Sequence, residues 1–186
     1  MKIFFDTEFT GLTKDTTLIS IGCVSENLKK FYAEFTDYNK SQCSDWIKVN
    51  VLNNLILTKN KRDNYQGCNA VTVLGNTKKV VDAFKEWLDQ FEAIQFVSDV
   101  SHYDFVLLAD LFGGALELPS NISPVCHDIS QDIAKHLNIS DAKAFNVNRE
   151  EFAGFFDTLK HLKHNALFDA EVIKQCYTKM ENLPRF

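Results

Sequence analysis

Two carboxylates one residue apart, Asp6 and Glu8, close the apolar run that begins Lys2-Ile3-Phe4-Phe5. In a strand, alternate side chains share a face and stand roughly 6.5–7 Å apart along the chain, so both acids would converge on one point. Like charges are held together at the edge of a core only when something neutralises them, and a divalent cation such as Mg2+ suits two hard oxygen ligands. A surface strand end with both acids solvated would need no such ion. Two further acids strengthen the cation reading. Asp169 falls within about 30° of the centre of the apolar stripe on a C-terminal helix, counted at about 100° per residue. Asp104 shares the apolar side of its own helix with Leu108 and Leu111, four and seven residues on. An unpaired buried carboxylate is costly, so each acid should be neutralised, protonated or bonded to a cation. A position near the helix start, favoured by the dipole and still wetted, is the milder alternative for Asp169. His164 precedes Asp169 by five residues; if Asn165 caps the helix, a base with a near-neutral pKa stands beside the acids. His102, His127, His136 and His161 read as surface residues.

The elements that must position these groups follow from periodicity. After the opening strand, Thr10 to Asp15 reads as a turn and Thr17 to Ser25 as a second strand, in which Ser20 and Gly22 are small enough to let another backbone come close. Lys30 to Thr36 alternates, with Phe31, Ala33 and Phe35 on one side, and three strands with short connections predict an antiparallel meander. Ser44 or Asp45 caps a helix through Trp46, Val49, Leu52 and Ile56. Thr58 to Asn69 is polar, with Lys59, Lys61 and Arg62 close together, and reads as a phosphate-contacting flap or a plain solvated loop. Val80, Phe84, Trp87, Leu88 and Phe91 stripe a helix over Asn76–Phe91. A strand at Ala93–Val100, a helix at Asp104–Phe112, a strand at Pro124–Asp128 and a helix at Ile129–Leu137 follow. Ser140 to Leu162 is irregular, with a helix around Arg149–Phe156, and a helix at Ala166–Met180 closes the chain. The alternation of strand and helix in the second half favours parallel strands with crossover helices. The sum is α/β: a five-stranded mixed sheet, three antiparallel strands then parallel ones, flanked by helices, in a single domain over 1–186.

Composition narrows the setting. The 186 residues suffice to bury a real core, and no apolar run is long enough to cross a bilayer, so no membrane is expected. The chain enters a strand at once, without a charged and then apolar leader, and a cytoplasmic protein is the expectation. Five scattered cysteines without a Cys-x-x-Cys pair predict reduced, structural thiols. A formal net charge of −5 does not attract polyanions, so a nucleic-acid substrate would need metal ions and local basic segments.

Asp6-Thr7-Glu8 on an N-terminal strand, Ser101-His102-Tyr103-Asp104 after a central strand, and His164-Asn165-Ala166-Leu167-Phe168-Asp169 near the C-terminus resemble the three motifs of DEDDh 3'-5' exonucleases, over essentially the whole chain. The opening Phe-Phe-Asp-Thr-Glu-Phe and the closing His-Asn-Ala-Leu are similar to ribonuclease T, oligoribonuclease and, most of all, the small adenylate-specific exoribonuclease group called RNase AS. The resemblance implies a ribonuclease H-like fold in which Asp6, Glu8, Asp104 and Asp169 hold two Mg2+ or Mn2+ ions and His164 is the general base. His102 stands where the second motif usually has Asn or a small residue, and Asp99 lies close enough to rival Asp104. By the same resemblance Thr7, Phe9 and Leu12 line the site of the terminal nucleotide, and the chain is a homodimer.

The implied reaction is hydrolysis of single-stranded RNA, or of a 3' overhang, from the 3' end, releasing nucleoside 5'-monophosphates. The cations hold the attacking and leaving oxygens while His164 takes a proton from water. RNA is preferred to DNA on subfamily likeness; a DNA 3'-5' exonuclease is the alternative within the class. An aspartate-nucleophile phosphatase would want Asp-x-Asp where this chain has Asp6-Thr7-Glu8. A nucleic-acid-binding module that kept the fold and lost activity would lack one of the four acids or the histidine, and all five are present.

Overall fold

The computed structural model of the protein describes residues 1–59, 70–155 and 162–182; most of the basic loop expected at Thr58–Asn69, together with Cys68 and His161, lies outside them. The described elements are β1 (Lys2–Phe9), β2 (Leu18–Ser25), β3 (Lys30–Phe35), α1 (Asp45–Asn50), β4 (Ala70–Gly75), α2 (Thr77–Leu88), β5 (Gln95–Ser98), α3 (His102–Asp110), β6 (His127–Asp128), α4 (Ile129–Leu137), α5 (Asp141–Ala144), α6 (Arg149–Ala153) and α7 (Ala166–Glu181).

Turn chemistry and alternation make β1, β2 and β3 the expected antiparallel meander, with β5 and β6 parallel to β1 beyond it. The sheet order is β4-β3-β2-β1-β5-β6, so it has six strands where periodicity predicts five. The missed strand is β4, an edge strand parallel to β3. Only Val73 of β4 is buried, while Val71, Thr72 and Leu74 are exposed, so it lacks the one-sided pattern that marks a strand in sequence. A second correction concerns α1, which stops at Asn50 and gives way to a 3-10 turn at Leu52–Asn54. Its buried side chain is Ile47, and Trp46 and Val49, expected on the apolar stripe, are exposed. The strand expected at Pro124–Asp128 shrinks to the two residues of β6, and the four-residue α5 lies in a stretch read as irregular.

Alternation along β1 assigns its two faces to two cores. Ile3 and Phe5 pack with Val80, Phe84, Trp87 and Leu88 of α2 and Leu107 and Leu108 of α3. Phe4 points the other way, toward Phe168, Val172, Ile173 and Cys176 of α7. Asp6 and Glu8 have the parity of Phe4, so the period of two carries them to the α7 side. Helix α7 can lie this close because of Gly22, which pairs with Asp6 on β2. A Cβ on Gly22 would stand 2.3 Å from the backbone of Ala166 and Leu167, so any side chain there would push the helix off the sheet.

Candidate active site

Strand β1, helix α3 and the turn into α7 meet at one cavity of about 960 Å³, whose lining includes Asp6, Glu8, Asp104, His164 and Asp169. The sheet contributes Asp6 and Glu8, and the β1–β2 register shifts between Glu8 and Phe9, a local irregularity at the point where the strand leaves the sheet. Thr7, on the opposite face, donates its backbone N–H (2.9 Å) and its hydroxyl (2.6 Å) to the same oxygen, Oδ1, of Asp104. Those two bonds fix the first turn of α3 against β1. The turn into α3 is sharp: Val100 sits at φ +51, unusual for a β-branched residue, and the Asp128 carboxylate accepts from the N–H groups of Val100 and Ser101, 3.1 Å each. Asp128 also caps α4 by accepting from Ser130 N–H.

The third contribution is the turn into α7. Asn165 caps the helix, as expected, by accepting from Phe168 N–H, and its side-chain amide donates to Tyr32 Oη and to the Asn54 carbonyl. His164 is held at φ +63, in the left-handed region, while its N–H donates to Asp169 Oδ2 at 2.9 Å. Its ring stands edge-on to Trp46 (centroids 4.9 Å apart), and its Nδ1 lies 3.8 Å from Glu8 Oε1. A non-glycine residue in that conformation costs of order 1–3 kcal/mol and persists only where its surroundings over-determine it, as these contacts do. Ligand atoms of Glu8, His164 and Asp169 all lie within 4.8 Å of one another.

The electrostatics of this cluster are unfavourable as it stands. Asp6 and Asp169 keep partial surface access, but protein crowds bulk water out of their part of the cavity. Burial first, then the charges of Asp104, Asp169, Glu8 and Asp99, push Asp6 well above the usual carboxylate range. Glu8 is raised for the same reasons, with Asp169 and Asp104 as its charged neighbours. Burial lifts Asp169 to about 8 against the lowering pull of the His164 N–H, and Asp104 to about 6 against the two Thr7 bonds. His164 is lowered by burial and by the Lys163 charge, so near neutrality its ring is unprotonated and able to accept a proton. Hard carboxylate oxygens crowded so that they must bind protons or a cation fit a small divalent metal.

Asp99 faces the same cavity but is already neutralised. Arg149 Nε and Nη2 donate to its two oxygens at 2.8 and 2.9 Å, and Arg149 Nη1 donates to the carbonyls of Ala144 and Val147. Thr7 lines the cavity with its hydroxyl spent on Asp104, Phe9 stacks on Tyr103 at 5.5 Å, and Leu12 is 75% exposed at the mouth. His102 is exposed on the cavity rim, and His136 is exposed outside it. His127, read as a surface residue, is half-buried and bonded to Asp132 at 2.5 Å. Periodicity missed Trp46, Arg149, Glu150 and Lys163, all of which line the cavity. The last three flank or sit in a stretch without usable period. Trp46 was visible only as an aromatic that fits a helical stripe equally well.

No family model matches the chain. A 3'-5' exoribonuclease of Mycobacterium tuberculosis, found in strain CDC 1551 / Oshkosh and again in strain H37Rv, is 26% identical over 133 residues, 70% of this chain and 73% of the relative. Among solved structures, one described as 3'-end specific recognition of histone mRNA stem-loop by 3'-exonuclease superposes with a TM-score of 0.59 at 14% identity, covering 96% of this chain and 62% of the other. That likeness carries the fold: a mixed α/β sheet flanked by helices, of the ribonuclease H-like exonuclease kind. By its fold and its curated relatives together, the chain is an enzyme similar to 3'-5' exonucleases.

Proposed function

We propose that this exonuclease acts on single-stranded RNA, or on 3' overhangs, releasing nucleoside 5'-monophosphates from the 3' end with two Mg2+ or Mn2+ ions held by Asp6, Glu8, Asp104 and Asp169. The observation that carries the reading is the crowding of these carboxylates in one cavity beside an unprotonated histidine. Bound there, the ions would neutralise the acids and stabilise the charge that develops on a phosphodiester during hydrolysis. His164, with its backbone tied to Asp169 and its ring against Trp46, takes the proton from the attacking water. Thr7 keeps Asp104 aimed at the site. Phe9, braced by Tyr103, and the exposed Leu12 offer apolar surface to the terminal base and sugar, where stacking is worth roughly 1–3 kcal/mol per base. RNA is favoured over DNA because the mycobacterial relatives are exoribonucleases and the solved neighbour recognises an mRNA stem-loop.

The same reading takes 1–186 as one domain and a homodimer as the working assembly. It sets the enzyme in the reducing cytoplasm, in keeping with four unpaired cysteines among the described residues. Among those residues no helix is long and apolar enough to cross a membrane. The test is digestion of 5'-labelled single-stranded and duplex RNA and DNA with Mn2+, Mg2+ or a chelator. Metal-dependent shortening of single-stranded RNA from its 3' end, lost in Asp6→Ala and Asp169→Ala and severely reduced in His164→Ala, supports the reading. Normal turnover by the Asp6 variant, or equal activity in chelator, overturns it.

A further inference from the structure

One carboxylate in the cavity belongs to none of the three motifs and is not accounted for by its own contacts. Glu150, on α6, is 7% exposed, and its Oε1 accepts from Lys163 Nζ at 2.9 Å. Its Oε2 is buried and has no hydrogen-bond partner. A buried carboxylate oxygen left unpaired costs about 1–3 kcal/mol or more, so its persistence calls for a group that pairs it in the working enzyme. The surroundings limit what that group is. Glu150 lines the same cavity as His164 and Asp169, and its charge is felt by both. Neither residue bonds to it directly. A polar gap between groups that sense each other in a wet cavity is the geometry a bridging water fills. A metal ion is a poor occupant of this corner because the Lys163 ammonium already holds the neighbouring oxygen.

We propose that Glu150 is a fifth working acid of this site, whose free Oε2 accepts a hydrogen bond from the water that His164 deprotonates. The inference rests on the assignment of His164 as general base. A water attacking phosphorus has two hydrogens: one leaves to the imidazole, and the other must be held so that a lone pair faces the phosphorus. A fixed carboxylate oxygen lining the same cavity as the base meets that need. Attack forms the P–O bond to the water oxygen and breaks the bond to the 3'-oxygen of the shortened strand, which takes a proton from solvent and leaves as a 3'-hydroxyl. The proton lost from the water passes to His164, and Glu150 keeps hold of the remaining O–H. Lys163, bonded to Oε1, favours the ionised form of Glu150.

The experiment compares wild type, Glu150→Gln and Glu150→Asp in Mn2+-dependent hydrolysis of single-stranded RNA, with Mn2+ affinity and thermal unfolding measured on the same preparations. In the Gln variant the amide oxygen satisfies Lys163 and turns an N–H2 toward the water. The expected result is a kcat reduced about tenfold or more, equivalent to at least about 1.4 kcal/mol, with KM and Mn2+ affinity within about twofold of wild type. The Asp variant retains the charge but withdraws it by one methylene, and its kcat falls between the two. A kcat within twofold of wild type in either folded variant reduces Glu150 to a partner for Lys163 and overturns the proposal. Loss of Mn2+ affinity alongside kcat makes Glu150 a metal ligand and overturns it equally. If Glu150→Gln fails to fold, the Asp variant decides by the same criteria. A wild type without metal-dependent activity defeats the nuclease reading itself, an outcome distinct from any of these.

Discussion

Glu34 and the acids at the end of β1 are buried carboxylates treated in opposite ways. Glu34 is 0% exposed and is met by donors on both oxygens: Tyr32 hydroxyl (2.8 Å) and Leu57 N–H (2.7 Å) on one, Thr58 N–H (2.8 Å) and Thr58 hydroxyl (2.5 Å) on the other. Among the described residues, the carboxylates of Asp6 and Glu8 accept no hydrogen bond, and that of Glu8 has only the distant His164 ring. The chain can therefore satisfy a buried carboxylate with its own donors where the need is structural. At the cavity it crowds acids and leaves the Asp6 and Glu8 carboxylates without donors, which is the arrangement expected where the compensating charge arrives from outside.

The contrast is broken most severely at the cavity acids. Asp169→Asn should lower metal-dependent nucleotide release at least about a thousandfold, since several kcal/mol of transition-state stabilisation go with the ion. The same variant, unfolded by heat in chelator, should be no less stable than wild type, because it removes a crowded charge. A clear loss of stability without metal would mean that Asp169 is structural like Glu34.

Glu34→Gln should do the reverse. Its amide N–H2 must oppose either Leu57 N–H or Thr58 N–H, costing about 1.5–3 kcal/mol, or roughly 3–12 °C in Tm for a chain of this size. An unchanged Tm would remove the structural half of the comparison.

A pH series sharpens it further. In the metal-free protein Asp104 and Asp169 bind protons more tightly folded (about 6 and about 8) than at their ordinary value of 3.8. Between those limits the folded state holds more protons than the unfolded one, so stability falls as pH rises from about 4 to 8. His164, lowered on folding, works the other way, and only below its usual value of 6.5. Thermal melts in chelator should therefore show a lower Tm at pH 8 than at pH 6.5, and saturating Mn2+ should flatten or invert that trend. A Tm independent of pH over this range would show the acids to be solvated.

The smallest effect is expected at Asp99, where Arg149 has done the neutralising. Asp99→Asn should cost roughly 1 kcal/mol of stability, about 2–4 °C, with kcat close to wild type, whereas Asp104→Asn should abolish turnover. Full activity in Asp104→Asn would transfer the role to Asp99.

What was legible in the sequence were features with a local cause. The period of two put Asp6 and Glu8 on one face, the helical stripe put Asp169 on the inner side of α7, and small residues at Ser20 and Gly22 signalled the close approach that Gly22 makes to Ala166. The illegible features depend on partners distant in the chain. Strand β4 is an edge with one buried residue, and its existence is decided by pairing to β3. Trp46 looks like a core residue on a helical wheel, yet it leaves the core to meet a histidine more than a hundred residues away. Arg149 and Glu150 lie where no period repeats, and only the folded chain brings one to Asp99 and the other to Lys163. The convergence of the four acids and His164 on one cavity could be read in advance; the bonds by which Thr7 and Asp128 hold them there, and those of Asn165 to Tyr32 and Asn54, could not.

Calorimetric titration of Mn2+ into metal-free protein at pH 7.5, in buffers of differing ionisation heat, tests the central claim most directly. Carboxylates crowded for a cation should give saturable binding accompanied by proton release from the raised acids, Asp169 among them, with affinity at least about tenfold weaker in Asp6→Asn. Binding without proton release, or with the same affinity in Asp6→Asn, would contradict the account.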